Sequence, residues 1–211
     1  MTKRVLAAWL GIGVAAIVAL AAHAASAVEL ANDGYVENGS AAFQAGFVGG
    51  EIGAVRLVPD QGPVTVERVR LLFGGDAVSR DVVLHIWDDS AEALEPGAEL
   101  YSGTHSVTGF DTALQEINLS GESIVVTGPF RVGIEFVAAG LPSIARDDDG
   151  TIDASRNFVF VSGPGWTGAQ SAGLVGDWVI RAVVVPEPDG AAAASLVALG
   201  WLARRRSASA Q

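Results

Sequence analysis

The sequence predicts an all-β fold, an antiparallel two-sheet sandwich of the jelly-roll-like kind. Three observations predict it. Phe130, Val132, Ile134 and Phe136 alternate with Arg131, Gly133 and Glu135, the period-two pattern of a half-buried strand. Turn signals rich in Gly, Pro and Asp recur about every 8–12 residues. No stretch of the body shows convincing helical periodicity. The sandwich is predicted over 28–185, between an N-terminal signal peptide (1–27) and a tail (186–211) built on a short C-terminal hydrophobic helix.

The first segment carries Lys3 and Arg4, then an uninterrupted apolar stretch from Val5 to Ala22. Small residues follow, with Ala25-Ser26-Ala27 as the cleavage site and Ala22-His23-Ala24 as a second candidate. Charge, apolar run and small residues in that order are what a secretory peptidase reads. An uncleaved anchor is the alternative, because 18 apolar residues nearly span a bilayer.

Within the body, strands are predicted around Ile52–Val58 and over Val64–Phe73, separated by a Pro-Asp-Gln-Gly-Pro turn. Val64 and Val66 share one parity while Val69, Leu71 and Phe73 share the other, which predicts a bulge near Glu67-Arg68. Asp81–Trp87 is apolar on both faces, as a central strand should be. Phe130–Phe136, Asn157–Val161 and Trp178–Val185 complete the longer set. Shorter candidates lie at Glu99–Ser102, Gln115–Leu119 and Ser123–Val126, for about eight or nine strands in all. A chain of this length buries a two-sheet core.

Charge and composition exclude several function classes. Five of the 13 Lys/Arg lie in the two ends, leaving eight arginines and no lysine in the body. Two of the 24 Asp/Glu lie outside, leaving 22, so the body is about −14 at neutral pH. Nucleic acid and anionic membrane surfaces are therefore unsuitable partners. Divalent cations and neutral polysaccharides are electrostatically allowed. With no cysteine there is no disulfide framework, no thiolate zinc site and no cysteine nucleophile.

Asp147, Asp149 and Asp153, with Asp148 between them, form the sharpest cluster. Loop carboxylates are hard oxygen ligands suited to Ca2+. Counted from Asp147, the sixth residue is Ile152 rather than Gly and the twelfth is Phe158 rather than Glu, so the segment is no EF-hand. Two readings stand: a structural Ca2+ site, or a solvated acidic turn with Asp149-Gly150 at a hairpin tip. Asp88-Asp89, with Glu92 and Glu95, reads as a charged soluble loop. His85 and His105 are 20 residues apart and lack a third ligand for zinc. His85, mid-strand among apolar residues, reads as a hydrogen-bonded core or face histidine. Trp166 lies in a glycine-rich loop, Ser162–Gly168, where its indole either stacks on a sugar ring or packs the loop. Trp87 and Trp178 read as core. No G-x-S-x-G elbow is present.

The tail is a three-part address. Pro186-Glu187-Pro188 ends the last strand, since proline donates no backbone hydrogen bond. Gly190–Ala203 is an apolar run of 14 residues, roughly 21 Å as a helix against a hydrocarbon core of about 30 Å. Arg204, Arg205 and Arg206 follow and predict a cytoplasmic C-terminus. This arrangement resembles the PEP-CTERM sorting signal of exopolysaccharide-producing Gram-negative bacteria. The resemblance implies export, contact of the tail with the inner membrane and processing by an exosortase-type membrane enzyme; the body is expected to require no cofactor, a structural Ca2+ aside. The body is similar in pattern to uncharacterised exported bacterial β-sandwich domains. The matching stretches are His85-Ile86-Trp87-Asp88-Asp89, Pro96-Gly97, Leu100, Arg156-Asn157-Phe158, Gly165-Trp166 and Gly176-Asp177-Trp178-Val179-Ile180-Arg181.

Two functions follow as expectations. One is a non-enzymatic module of the cell envelope, cell surface or extracellular matrix, serving adhesion, matrix or polysaccharide association and sorted through its tail. The alternative is an exported polysaccharide-acting hydrolase using acidic loop residues such as Asp88 or Asp147. Buried, paired carboxylates in a cleft favour the second.

Overall fold

A computed structural model describes residues 26–187. Nearly all of the expected signal peptide lies outside the described residues. So does the tail from Pro188 onward, Arg204, Arg205 and Arg206 included. Among the described residues no helix is long and apolar enough to cross a membrane.

The described residues form fourteen strands and no helix. They are β1 (Val28–Leu30), β2 (Ala41–Phe43), β3 (Ile52–Leu57), β4 (Val64–Leu71), β5 (Phe73–Gly74), β6 (Ser79–Asp88) and β7 (Glu99–Thr108). The remainder are β8 (Gln115–Asn118), β9 (Ile124–Val126), β10 (Phe130–Phe136), β11 (Ser143–Asp147), β12 (Asn157–Val161), β13 (Gly165–Gly168) and β14 (Ile180–Pro186). The count exceeds the expectation by β1, β2, β5 and β13, of two to four residues, and by β11, of five. Segments that short carry no readable periodicity.

One sheet has the order β1-β14-β4-β8, with β9 also on β4; a second runs β13-β12-β3-β10-β6-β7; a small third is β2-β11-β5. All pairings are antiparallel. Four connections pass directly between the two large sheets: β3 to β4, β7 to β8, β9 to β10 and β13 to β14. That crossing is the jelly-roll-like feature of the sandwich. Val66, Val69, Leu71, Ile180 and Ala182 of the first sheet meet Val55, Leu84, Ile86, Val132 and Ile134 of the second in one buried cluster. Each of the Val, Leu and Ile side chains contributes about 1.5–3 kcal/mol by leaving water.

The parity change in β4 is a bulge. Val183 pairs with Arg68 and Val184 with Val66, so Glu67 is the extra residue. It lets Val64, Val66, Val69 and Leu71 all face the core. The Glu67 carbonyl accepts the Leu119 amide at 2.8 Å.

Two expectations are corrected. β10 is not half-buried: Arg131 is fully buried on the face where alternation predicted solvent. Asp149-Gly150 is not a hairpin tip, because β11 and the following β12 belong to different sheets. It is a corner, with Gly150 at φ +82° and Asp149 Oδ1 accepting from the Thr151 amide and hydroxyl, each at 2.7 Å.

Candidate functional site

The outer face of the six-stranded sheet carries an aromatic strip built from five neighbouring strands. On β6, His85 and Trp87 share the outer parity. The Trp87 ring lies across β10 at Gly133, where a Cβ would come within 2.7 Å of Trp87 Cζ3 and 2.9 Å of Ile52 Cγ2. The indole rests there because glycine leaves the space. His85 stacks on Trp87 with centroids 4.9 Å apart and planes at 7°. Trp166 meets Trp87 edge-on at 5.6 Å, and Phe160 meets Trp166 at 5.7 Å. Trp166 is thus a residue of β13, half-buried in this cluster, rather than part of an open loop.

Carboxylates border the strip. His85 Nδ1 lies 2.6 Å from Glu99 Oε1 on β7, and Nε2 lies 2.9 Å from Glu135 Oε2 on β10. A neutral imidazole donates to one of the two, an imidazolium to both. The Glu99 side chain is 47% exposed and that of Glu135 30%, so their free oxygens face solvent. His85 is therefore the face histidine that its strand position predicted. Trp87 is 8% exposed and the His85 side chain 12%, so Trp166 and Phe160 are the half-buried rings that, beside carboxylate acceptors, suit a ligand with one apolar face and hydroxyl donors.

Beneath the strip lies a charge cluster that sequence reasoning missed. Asp89 Oδ2 accepts from Arg56 Nε at 2.7 Å and from Arg131 Nε and Nη2 at 3.0 and 2.9 Å. The three side chains are all buried. Arg131 Cζ sits 3.7 Å from the Phe158 centroid and 5.1 Å from the Trp166 ring. Its amino groups also donate to the Leu94 and Ala93 carbonyls, at 2.8 and 2.9 Å. Burial pushes the Arg131 pKa below its ordinary value; Asp89 opposes that shift and Arg56 adds to it. Two guanidiniums around one carboxylate pin the segment after β6 onto the sheet. Of the expected charged loop, Glu92 and Glu95 are exposed and Asp88 accepts from Ser90 Oγ at 2.9 Å, but Asp89 is 1% exposed and belongs to the buried cluster. No local pattern marks Asp89, whose partners lie 33 and 42 residues away.

The acidic residues near β11 have structural partners. Asp147 Oδ2 accepts the Gly34 amide at 2.7 Å, and Oδ1 accepts the Asp177 amide at 2.8 Å. Asp153 Oδ1 takes the Ser155 amide and hydroxyl, at 2.9 and 2.6 Å. Asp177, not singled out from the sequence, accepts from Asn32 Nδ2 at 3.1 Å, from the Asp153 amide at 2.8 Å and from Asn157 Nδ2. Burial raises its pKa, with the nearby Asp147 and Asp153 charges adding to that, while the Asp153 amide and Asn157 oppose it. Hydrogen bonds from Thr151 lower the Asp149 pKa. Together these groups fasten the N-terminal segment to β11, β12 and β14. Arg181 completes the tie, donating from Nη2 and Nε to Asp33 at 2.6 and 3.1 Å. Among the described residues, no three His, Cys, Asp or Glu side chains converge as a metal-binding group.

The start of the tail is docked on the sandwich. Pro186 is paired with Val64. The Glu187 amide donates to the Pro63 carbonyl at 3.0 Å, and its carboxylate accepts the Thr65 hydroxyl.

No family model and no curated protein matches this chain. Among solved structures, the clostridial cysteine protease Cwp84 after propeptide cleavage is similar over 67% of this chain and 37% of its own, at 10% identity and a TM-score of 0.47. The cysteine protease and lectin-like domains of Cwp84, a surface layer associated protein of Clostridium difficile, are similar over 66% and 33%, at 12% identity and 0.46. The chain spans about a third of the length of these structures.

Proposed function

We propose that this chain is an exported, non-enzymatic module of the cell envelope or extracellular matrix that associates with neutral polysaccharide and is sorted through its tail by an exosortase-type enzyme. The observation that carries the ligand class is the His85–Trp87–Trp166–Phe160 strip with Glu99 and Glu135 at its border. Pyranose rings offer C–H faces to aromatic rings and hydroxyls to carboxylates. The net charge of the body, about −14, favours uncharged polymer over an anionic one. The sorting half of the reading rests on Pro186-Glu187-Pro188, the apolar run and Arg204–Arg206.

Affinity electrophoresis in gels cast with neutral polysaccharides tests the ligand class. Wild-type chain should be retarded, and Trp166→Ala should weaken binding by roughly tenfold, the scale of one lost aromatic contact. Equal mobility of both proteins in every polysaccharide would remove the ligand assignment.

A second reading, a polysaccharide-acting hydrolase, draws on the buried neighbours Asp147 and Asp177 and on the raised pKa of Asp177. Their oxygens serve backbone amides, and Asp88 belongs to a different strand end, so the first reading is preferred. Release of new reducing ends from a polymer, abolished in Asp177→Asn, would reverse that preference.

A further inference from the structure

The last strand runs into the Pro186-Glu187-Pro188 motif instead of stopping short of it. β14 lies between β1 and β4. Among the described residues its pairing with β1 ends at Val184, opposite Val28. Its pairing with β4 continues through Val185, opposite Thr65, to Pro186, opposite Val64. Past Val184 the chain is therefore held from the β4 side. Side chains two residues apart on a strand share a face, so Glu187 lies on the face of Val185 and of its partner Thr65. There the Thr65 hydroxyl donates to the Glu187 carboxylate. The Glu187 amide donates to the Pro63 carbonyl at 3.0 Å. Neither Pro186 nor Pro63 carries an amide, so the reciprocal bonds of a full ladder do not reinforce this join.

We infer that Thr65 is a positioning residue for the sorting motif. By holding the Glu187 carboxylate it keeps Pro186-Glu187 folded onto the sandwich, and the processing enzyme receives the motif only when this end of β14 lifts off. The inference rests on the sorting reading of the tail. No spacer separates the motif from the body, since Pro186 is itself in the sheet. An enzyme that recognises Pro-Glu-Pro must reach the Glu187 carboxylate, which is already bonded to Thr65. A groove that takes the chain in extended form must also claim the amide that Pro63 holds. The docked form is thus not the recognised form, and the lifted fraction scales the rate of processing. Both bonds of the join end on Glu187, so the opening is local, and β14 up to Val184 stays between β1 and β4. Loss of the Thr65 bond, made to a carboxylate, raises the lifted fraction by about tenfold.

Two measurements on the full chain test this. Hydrogen exchange of the purified protein in detergent reads the Glu187 amide, which stands alone between two prolines that carry none. Pulse-chase in the native host follows loss of the tail. Thr65→Val keeps the β-branched shape that suits a strand and deletes the hydroxyl. It should speed both exchange at Glu187 and tail removal by about tenfold, with the amides of Ala182–Val184 unchanged. Thr65→Ser keeps a hydroxyl and should leave both rates at wild type. Thr65→Ala takes the place of Thr65→Val if that variant melts early. Exchange at Glu187 that is indifferent to loss of the hydroxyl overturns the inference. So does a responsive amide with tail removal unchanged or slower, the slower case meaning that the body presents the motif instead of withholding it. If exchange responds but no tail is removed from either protein, the sorting reading itself fails and the inference falls with it.

Discussion

Trp87 lies across the backbone of Gly133, close enough that a Cβ there would stand 2.7 Å from Cζ3 of the indole. Gly133→Ala should therefore destabilise the fold by about 1–3 kcal/mol, the usual cost of overpacking. It should also tilt Trp87 away from His85 and weaken polysaccharide binding. Denaturant titration checks the first effect. A midpoint equal to wild type would mean that the indole shifts freely, and the rigid strip would be lost with it.

Asp89 is the one carboxylate between the buried guanidiniums of Arg56 and Arg131. Its removal by Asp89→Ala strands two buried cations, and the expected loss is about 3–5 kcal/mol. Arg131→Met should cost less, because Arg56 still pairs with Asp89 and methionine restores apolar packing on Phe158. Urea midpoints of the two variants in that order support the cluster as drawn; the reverse order contradicts it.

Asp177 gives a pH prediction with a definite sign. Its folded pKa is raised above the ordinary 3.8, first by burial and then by Asp147 and Asp153. Keeping it ionised is therefore a cost to the folded state at neutral pH. That cost is fully present above the raised pKa and disappears below the unfolded value. Asp177→Asn keeps an acceptor oxygen for the Asp153 amide and Asn157. The stability difference, variant minus wild type, should be more favourable at pH 7 than at pH 4. A difference that moves the other way shows that the three donors outweigh burial.

For Asp147, Asp149 and Asp153, chelation is the direct test. Both Asp147 oxygens accept backbone amides, and one oxygen each of Asp149 and Asp153 is held by the neighbouring Thr151 and Ser155. The expected melting temperature is the same in EDTA and in millimolar Ca2+. A rise with Ca2+ would restore the metal reading, since a ligand that binds only the folded state must stabilise it.

The sorting proposal predicts a change of location. Deleting 186–211 in the native host should free the protein from its normal fraction, and intact mass of the wild type should lack 1–27 and much of the tail. Unchanged location after the deletion removes the proposal. A wild-type mass retaining the whole tail in the membrane fraction would confine it to anchoring without processing.

Much of the sandwich was legible in the sequence because a strand's side chains alternate with a period of two. β6 and β10 show this, and the parity change at Glu67 locates the bulge. The strands that escaped notice, such as β2 and β13, are too short to repeat the pattern. Trp166 reads as a loop residue from sequence because Gly163, Pro164 and Gly165 precede it.

Sequence alone determined the alternation that builds two sheets, the acidic charge of the body and the three-part composition of the tail, since each is a property of neighbouring residues. Only the tertiary structure decided that the outer side of β10 is covered, because parity names a face and not what lies on it. Asp89 and Arg131 stand 42 residues apart and meet through the pairing of β6 with β10. The same registers lay Trp87 over Gly133 and bring Trp166 to its edge. Long-range strand pairing, which no local pattern encodes, converts two ordinary charged residues and three scattered aromatics into one site.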